Sequence, residues 1–228
     1  MKKIKFRHEF KHYINFADAA VLRSRLSHIM KLDSHAGENG DYLIRSLYFD
    51  TPEDKALMEK ITGVDNREKY RIRYYDHDCS FIKLEKKAKV NSLTSKTSVS
   101  LTKEQCIDIL NGNIEWMKLS DKTLLNEFYY SMQNQQLKPR TIVDYIREAY
   151  VYKAGNVRVT IDKSIKTGLY STDLFNRDLL TVETLDKRMS VLEVKYDEFL
   201  PEIINDVIQL GERQKVSVSK YALCRMYG

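Results

Sequence analysis

The chain has 228 residues, 43% hydrophobic and 31% charged, with 38 Lys and Arg against 32 Asp and Glu for a net charge of +6. That apolar share supports a folded core, and 8 Gly with 3 Pro exclude a collagen-like or low-complexity chain. No apolar run reaches the ~18 residues of a membrane-spanning helix, the charged start Met1–Glu9 lacks the apolar stretch of a secretory signal, and Cys79, Cys106 and Cys224 are too scattered for a disulfide framework or metal knuckle. The expectation is a reduced, cytoplasmic protein folded as one domain over residues 1–228. Its modest positive charge admits nucleic acid, acidic lipid or a phosphorylated metabolite as partner without choosing among them.

In chain order, Lys3–Tyr13 alternates as a strand, with Lys5, Arg7, Glu9 and Lys11 on one face and Ile4, Phe6 and Phe10 on the other. Phe16–Met30 carries an apolar helical stripe through Leu22 and Leu26, with Asp18 in its first turn. Tyr42–Asp50 is the next strand, followed by a helix over Pro52–Ile61 with proline in its first turn. Glu68–Tyr75 puts Arg71 and Arg73 on one side. Phe81–Val90 sets Lys83, Glu85, Lys87 and Lys89 against Ile82, Leu84, Ala88 and Val90. Thr102-Lys103-Glu104-Gln105 has the spacing of a capping box for a helix to Leu110. A helix over Lys122–Met132, a less regular strand over Arg140–Tyr152 and strands over Val157–Asp162 and Val191–Asp197 follow. Pro201–Leu210 reads as a helix with Gly211 just past its end, and Ser217 or Ser219 opens a last short helix through Met226. The sum is an α+β domain with about eight antiparallel strands. Trp116, Tyr129 and Tyr130, in helical context, read as core, and the five histidines show no metal-ligand or triad spacing.

Taken alone, each charged strand face reads as the solvated side of an ordinary antiparallel strand. The recurrence is harder to explain that way, because the basic faces also carry acids: Glu9 by Lys11, Glu85 by Lys87, Asp162 by Arg158, Glu193 by Lys195. A closed barrel, with its apolar side chains outside under helices and its charges inside, satisfies both faces. Enclosed cations repel one another unless an anion fills the space. A phosphate chain suits them, since Arg offers a planar fork and Lys a mobile point charge. The interspersed carboxylates are suited to divalent cations that bridge phosphate oxygens.

Nine short runs carry a resemblance: Lys11-His12-Tyr13, Ser46–Asp50, Arg71-Ile72-Arg73, Glu85-Lys86-Lys87, Ser95–Val99, Tyr145-Ile146-Arg147, Val157–Asp162, Leu192–Lys195 and Val218–Tyr221. In that order they resemble the catalytic domain of the vacuolar transporter chaperone (VTC) polyphosphate polymerases, of the triphosphate tunnel metalloenzyme (CYTH-like) superfamily, over about residues 4–227. The resemblance implies an eight-stranded antiparallel tunnel barrel with helices packed on the outside, using Mn²⁺ or Mg²⁺ and taking ATP and inorganic polyphosphate or triphosphate. It implies that Lys11, Arg71, Arg73, Lys87, Lys96, Arg147, Arg158 and Lys220 grip phosphate, that Tyr145 and Ser219 are neutral hydrogen-bonding partners, and that Glu193 is the metal ligand. Lys195 joins them by sharing the face of Glu193. Glu9 with Lys11 is similar to the Glu-x-Lys metal element of tunnel triphosphatases, an acid the polymerases lack, so transfer and hydrolysis both stay open. So does a non-catalytic polyphosphate or inositol-phosphate binder. Arg45 is open between the lumen and an outer ion pair, and Glu85 between a lumen acid and a simple partner of Lys87. Nucleic-acid binding would account for the charge but not for its placement, and none is expected. Coupling to a membrane would need a separate protein partner.

Overall fold

The computed structural model describes residues 6–211 and 215–227; Lys3, Ile4 and Lys5 of the first expected strand lie outside them. In chain order the elements are β1 (Phe6–Asn15), α1 (Phe16–Ile29), β2 (Lys31–Leu32), β3 (Asp41–Asp50), α2 (Lys55–Ile61), β4 (Arg67–Tyr75), β5 (Asp78–Val90), β6 (Leu93–Leu101), α3 (Lys103–Leu110), α4 (Glu115–Lys118), α5 (Thr123–Asn134), β7 (Lys138–Tyr152), β8 (Val157–Thr167), β9 (Val182–Glu183), β10 (Met189–Tyr196), α6 (Glu202–Val207) and α7 (Lys220–Arg225). Eight long strands pair in the order β7-β3-β4-β5-β6-β1-β10-β8, and β8 returns to β7, closing an antiparallel barrel. Closure removes the exposed edges that an open sheet of this size would leave.

The period-two pattern fixes which face each strand buries. Outward-facing Leu47, Phe49, Ile72, Ile82 and Leu84 pack under α3, α4 and α5, whose Cys106, Ile109, Met117, Leu125 and Phe128 complete one core. A second core sits where Val159, Ile161, Leu192 and Val194 meet α1 through Leu22 and Leu26, and α6 through Ile204. A third gathers Ile44, Val143 and Val191 with Tyr221, Ala222 and Cys224 of α7. On the faces that carry Arg147 and Glu193 further along β7 and β10, Val143 and Val191 are thus apolar. There α7 packs across one end of the barrel.

Local signals hold at α1 and α3. Asn15 and Asp18 form a reciprocal capping box, as do Thr102 and Gln105. Elsewhere the boundaries move. β6 was not legible as a strand, because its middle, Thr94–Ser98, carries no apolar side chain on either face and Leu93, Val99 and Leu101 lie towards its ends. α2 begins at Lys55 rather than Pro52: residues 51–54 form a turn with Asp54 at φ +54°, and the Asp50 carboxylate accepts from the backbone N–H groups of Thr51, Ala56 and Leu57 (2.8, 2.8 and 3.1 Å). The helix after Pro201 ends at Val207, because the following amides bond three residues back as well as four, so Gly211 is not its cap. Tyr130 is half exposed rather than core, and Trp116 is only partly buried.

Candidate functional site in the barrel lumen

The barrel encloses a cavity of about 740 Å³ lined by twelve lysine and arginine side chains. Seven of the eight barrel strands supply them, all but β3, and α7 adds Lys220. The thirteen residues assigned to the site from the sequence line this cavity: Arg71, Arg73, Arg147, Arg158, Glu193, Lys11, Lys87, Lys96, Tyr145, Lys195, Ser219, Lys220 and Glu9. A smaller opening of about 290 Å³, edged by Lys60, Arg67 and Lys89, shares Glu9, Lys11, Lys69 and Lys87 with it.

Most of these cations are paired, though with other acids than their strand neighbours suggest. Four carboxylates with side chains no more than 7% exposed serve eight of them. Glu193 meets Lys195, Arg147 and Lys11 at 3.0, 3.3 and 3.5 Å. Glu9 meets Lys87 at 2.7 Å and Lys11 at 3.2 Å. Glu85 holds Arg71 at 2.6 Å, Lys96 at 3.2 Å and Arg73 at 3.9 Å. Asp162 holds Arg147 in a two-pronged pair at 2.6 and 2.8 Å and Lys220 at 2.5 Å. Several are direct cross-strand neighbours, such as Arg71 with Glu85 and Arg147 with Asp162. Eight cations on four acids leave the lumen net positive.

Burial and the Glu193 charge push the Glu9 carboxyl up, but Lys87, Lys11 and Lys195 outweigh them and hold it at about 2. Burial likewise opposes ionisation of Glu193, and Lys195, Lys11, Lys220 and Lys87 hold its carboxyl well below the usual range. Both are therefore hard anionic oxygen donors at neutral pH, and Lys11 touches both. No group of three or more His, Cys, Asp or Glu suited to a metal occurs among the described residues. The donor set fits an ion such as Mg²⁺, which takes one or two carboxylates and completes its shell with water and phosphate oxygens.

On the lumen wall, Tyr48 stacks on Tyr221 with ring centroids 5.1 Å apart, and its hydroxyl accepts from Arg71 at 2.8 Å. Lys69 lies 5.4 Å from that ring's centroid and donates to Ser219 at 3.2 Å. Burial, then the charges of Lys87, Lys11 and Arg71, outweigh the pull of Tyr48 and lower Lys69 to about 7. Burial pushes Tyr48 up, but Arg71, Lys69 and Arg73 bring it down to about 7. Whichever group gives up its proton, the pair becomes less positive as pH rises through neutrality. Tripolyphosphate titrates over the same range, so the expectation concerns the pair's own share: the advantage in affinity over a protein that titrates at neither position should fall roughly tenfold between about pH 6 and about pH 8, with extra proton uptake on binding. Calorimetry in buffers of different ionisation enthalpy measures both; the double variant Tyr48→Phe, Lys69→Arg, which titrates at neither position, supplies the comparison.

Several sequence expectations are resolved here. Arg45 points outward, its guanidinium on Asp144 at 2.8–3.2 Å and on the carbonyl of Asn176. Glu85 faces the lumen but serves Arg71, Arg73 and Lys96; Lys87 belongs to Glu9 instead. Arg158 pairs with Asp33 and the Tyr42 hydroxyl, so Asp162 is not its partner. The Ser219 hydroxyl accepts from Ala222 N at 3.3 Å as the cap of α7 and also receives Lys69. Arg7, Lys69 and Lys83 also line the cavity and were missed as site residues, although each shares a period-two face with named cations. Asp162 was seen only as a neighbour of Arg158. No sequence signal marked Tyr48.

The VTC domain family pattern matches residues 6–227. The chain belongs to the VTC domain family. In fold, this VTC domain is similar to a candidate adenylate cyclase of Bacillus halodurans, at 14% identity and a TM-score of 0.50, covering 90% of this chain and 86% of that one. It is also similar to HpAC1 of Hippeastrum, a candidate adenylyl cyclase with a dominant triphosphatase activity, at 12% identity and a TM-score of 0.47, covering 88% and 84%. No curated protein matches this chain in sequence.

Proposed function

We propose that this VTC domain is a metal-dependent phosphotransferase, moving the γ-phosphoryl group of ATP onto inorganic phosphate or a growing polyphosphate end within the lumen. The observation that carries this reading is the convergence of twelve cations on one enclosed cavity, more than its buried acids neutralise. Phosphoryl transfer asks little covalent chemistry of a protein and much positioning and charge neutralisation. Arg73 has neutral acceptors nearest, the Ser46 hydroxyl at 2.9 Å and the Tyr145 hydroxyl at 2.7 Å, so its charge is open to a phosphate oxygen. Arg71, Arg147, Lys195 and Lys220 stand ready to exchange carboxylates for phosphates, while Lys96 and Lys87 would receive the chain along β6 and β5. Glu193 and Glu9 would hold Mn²⁺ or Mg²⁺, which would neutralise charge between phosphates. In the step itself an acceptor phosphate oxygen bonds to the γ-phosphorus as the β–γ bridging bond breaks, and ADP leaves. Lys69, which lines the cavity and is lowered to about 7 chiefly by burial, would be able to take or return a proton at the acceptor.

One feature favours a second reading. Glu9 is an ionised acid in the lumen, and with water as acceptor the same site would hydrolyse tripolyphosphate or nucleoside triphosphates. Chain-length-resolved products of ATP with Mn²⁺ separate the two: ADP with phosphate chains longer than three supports transfer, ADP with orthophosphate alone supports hydrolysis, and neither overturns both. Cys106 and Cys224 are buried, with thiols pushed up to about 12 chiefly by burial, so neither is poised as a nucleophile. No helix among the described residues is long and apolar enough to cross a membrane.

A further inference from the structure

Register sets Lys69 directly opposite Lys87, so two ammonium groups share one stretch of lumen wall. Their surroundings differ. Lys87 rests on the Glu9 carboxylate at 2.7 Å. Lys69 meets the Ser219 hydroxyl at 3.2 Å and the Tyr48 ring, and has no carboxylate partner among the described residues. Burial, and then Lys87, Lys11 and Arg71, outweigh Tyr48 and hold Lys69 at about 7. A large share of it is therefore neutral amine, a nucleophile, near neutral pH. Lys69 also stands where the lumen and the smaller opening meet, since it lines both. A small molecule arriving by either way reaches it.

We propose that Lys69 is a covalent modification site for acyl phosphates, whose phosphate the lumen cations hold while the lysine attacks the acyl carbon; this rests on the phosphate reading above. The neutral Nζ adds to the carbonyl carbon, and a C–N bond forms as the C–O bond to phosphate breaks. The departing phosphate carries away that electron pair and takes the proton lost by nitrogen, so the products are an amide and orthophosphate. Arg71, which donates to the same Tyr48 hydroxyl, and Lys87 across the strand pair stand beside the nitrogen to take the phosphate end. Holding the reagent there raises its effective concentration at Lys69. Lys11, Lys87 and Lys195 are each held by a carboxylate, which favours their charged, unreactive form. Acylation removes a lumen cation and sets a neutral amide where the two openings meet. The modified protein therefore grips a phosphate chain less well.

The test exposes the full chain to acetyl phosphate near neutral pH and follows each lysine by peptide mass spectrometry, with and without saturating tripolyphosphate. Lys69 should be acetylated at least about tenfold faster than the exposed Lys118 and Lys153, the joint effect of a desolvated amine and a held reagent. Tripolyphosphate should suppress the reaction at Lys69 and leave the exposed lysines unprotected. Neutral p-nitrophenyl acetate, which has no phosphate to hold, should prefer Lys69 less. Calorimetry on the acetylated protein should show tripolyphosphate bound roughly tenfold more weakly, the scale of one lost hydrogen bond from a charged group; Lys69→Arg given the same treatment should keep its affinity. Acetylation of Lys69 no faster than of Lys118, an equal preference with the neutral ester, or no protection by bound tripolyphosphate would overturn the modification site and leave the phosphate reading standing. Failure of the unaltered protein to bind tripolyphosphate would overturn both.

Discussion

Arg73→Ala should lower turnover by roughly 10²–10³-fold, the scale for removing one preorganised electrostatic contact from a developing transition state. Among the lumen guanidiniums, Arg73 is held by the neutral Ser46 and Tyr145 hydroxyls, with Glu85 no closer than 3.9 Å. Its charge is the least committed of the buried set, so it has most to give to a phosphate. Folding should suffer little, because Glu85 keeps Arg71 at 2.6 Å and Lys96 at 3.2 Å. Arg158→Ala should cost less, since that side chain is engaged by Asp33 and Tyr42. Steady-state rates with ATP and with tripolyphosphate, set beside unfolding midpoints, measure both parts. A rate within twofold of the unaltered protein would remove Arg73 from the machinery.

Asp162→Asn should act on stability instead. Asp162 is fully buried and joins Arg147 and Lys220, themselves 9% and 8% exposed in their side chains. Removing its charge leaves two buried cations facing each other, with Glu193 the nearest acid at 3.3 Å from Arg147. The expected loss is about 3 kcal/mol, at the lower end for breaking a buried ion pair, read as a lower urea midpoint at unchanged slope. The sign with pH follows. Burial opposes ionisation, but Arg147 and Lys220 hold the carboxyl at about 2, below its ordinary value of about 4. Its contribution is therefore present in full above about pH 4 and disappears as pH falls towards 2. Asp162→Asn should lack that part of the acid-induced loss.

The barrel was legible because β1, β4, β5, β8 and β10 largely alternate charged with apolar residues, and helices cover their apolar faces. β6 escaped because its middle, Thr94–Ser98, carries hydroxyl groups and a lysine with no apolar side chain, and its apolar residues Leu93, Val99 and Leu101 lie towards its ends. Lumen placement followed from period two, which gave Lys195 from Glu193 and could have given Lys69 from Arg71. Pairing did not follow, because partners come from different strands. Glu85 lies two residues from Lys87, yet register places it opposite Arg71, and Lys87 reaches across to Glu9. Arg45 faced outward for the same reason as Leu47 and Phe49, its neighbours on the strand face, and Asp144 of β7 compensates it there. Asp50 and Tyr221, joined at 2.6 Å, tie α2 to α7 beside Lys220 across 171 residues, a separation no local pattern encodes.

Diffraction from crystals of the protein soaked in tripolyphosphate tests most directly whether the lumen grips a phosphate chain. Phosphorus density inside the barrel, between Arg71, Arg73, Arg147 and Lys195, with Lys11 drawn off Glu9 or Glu193, is the predicted result. Tripolyphosphate bound only on the outer surface, with the lumen ion pairs intact, would contradict it.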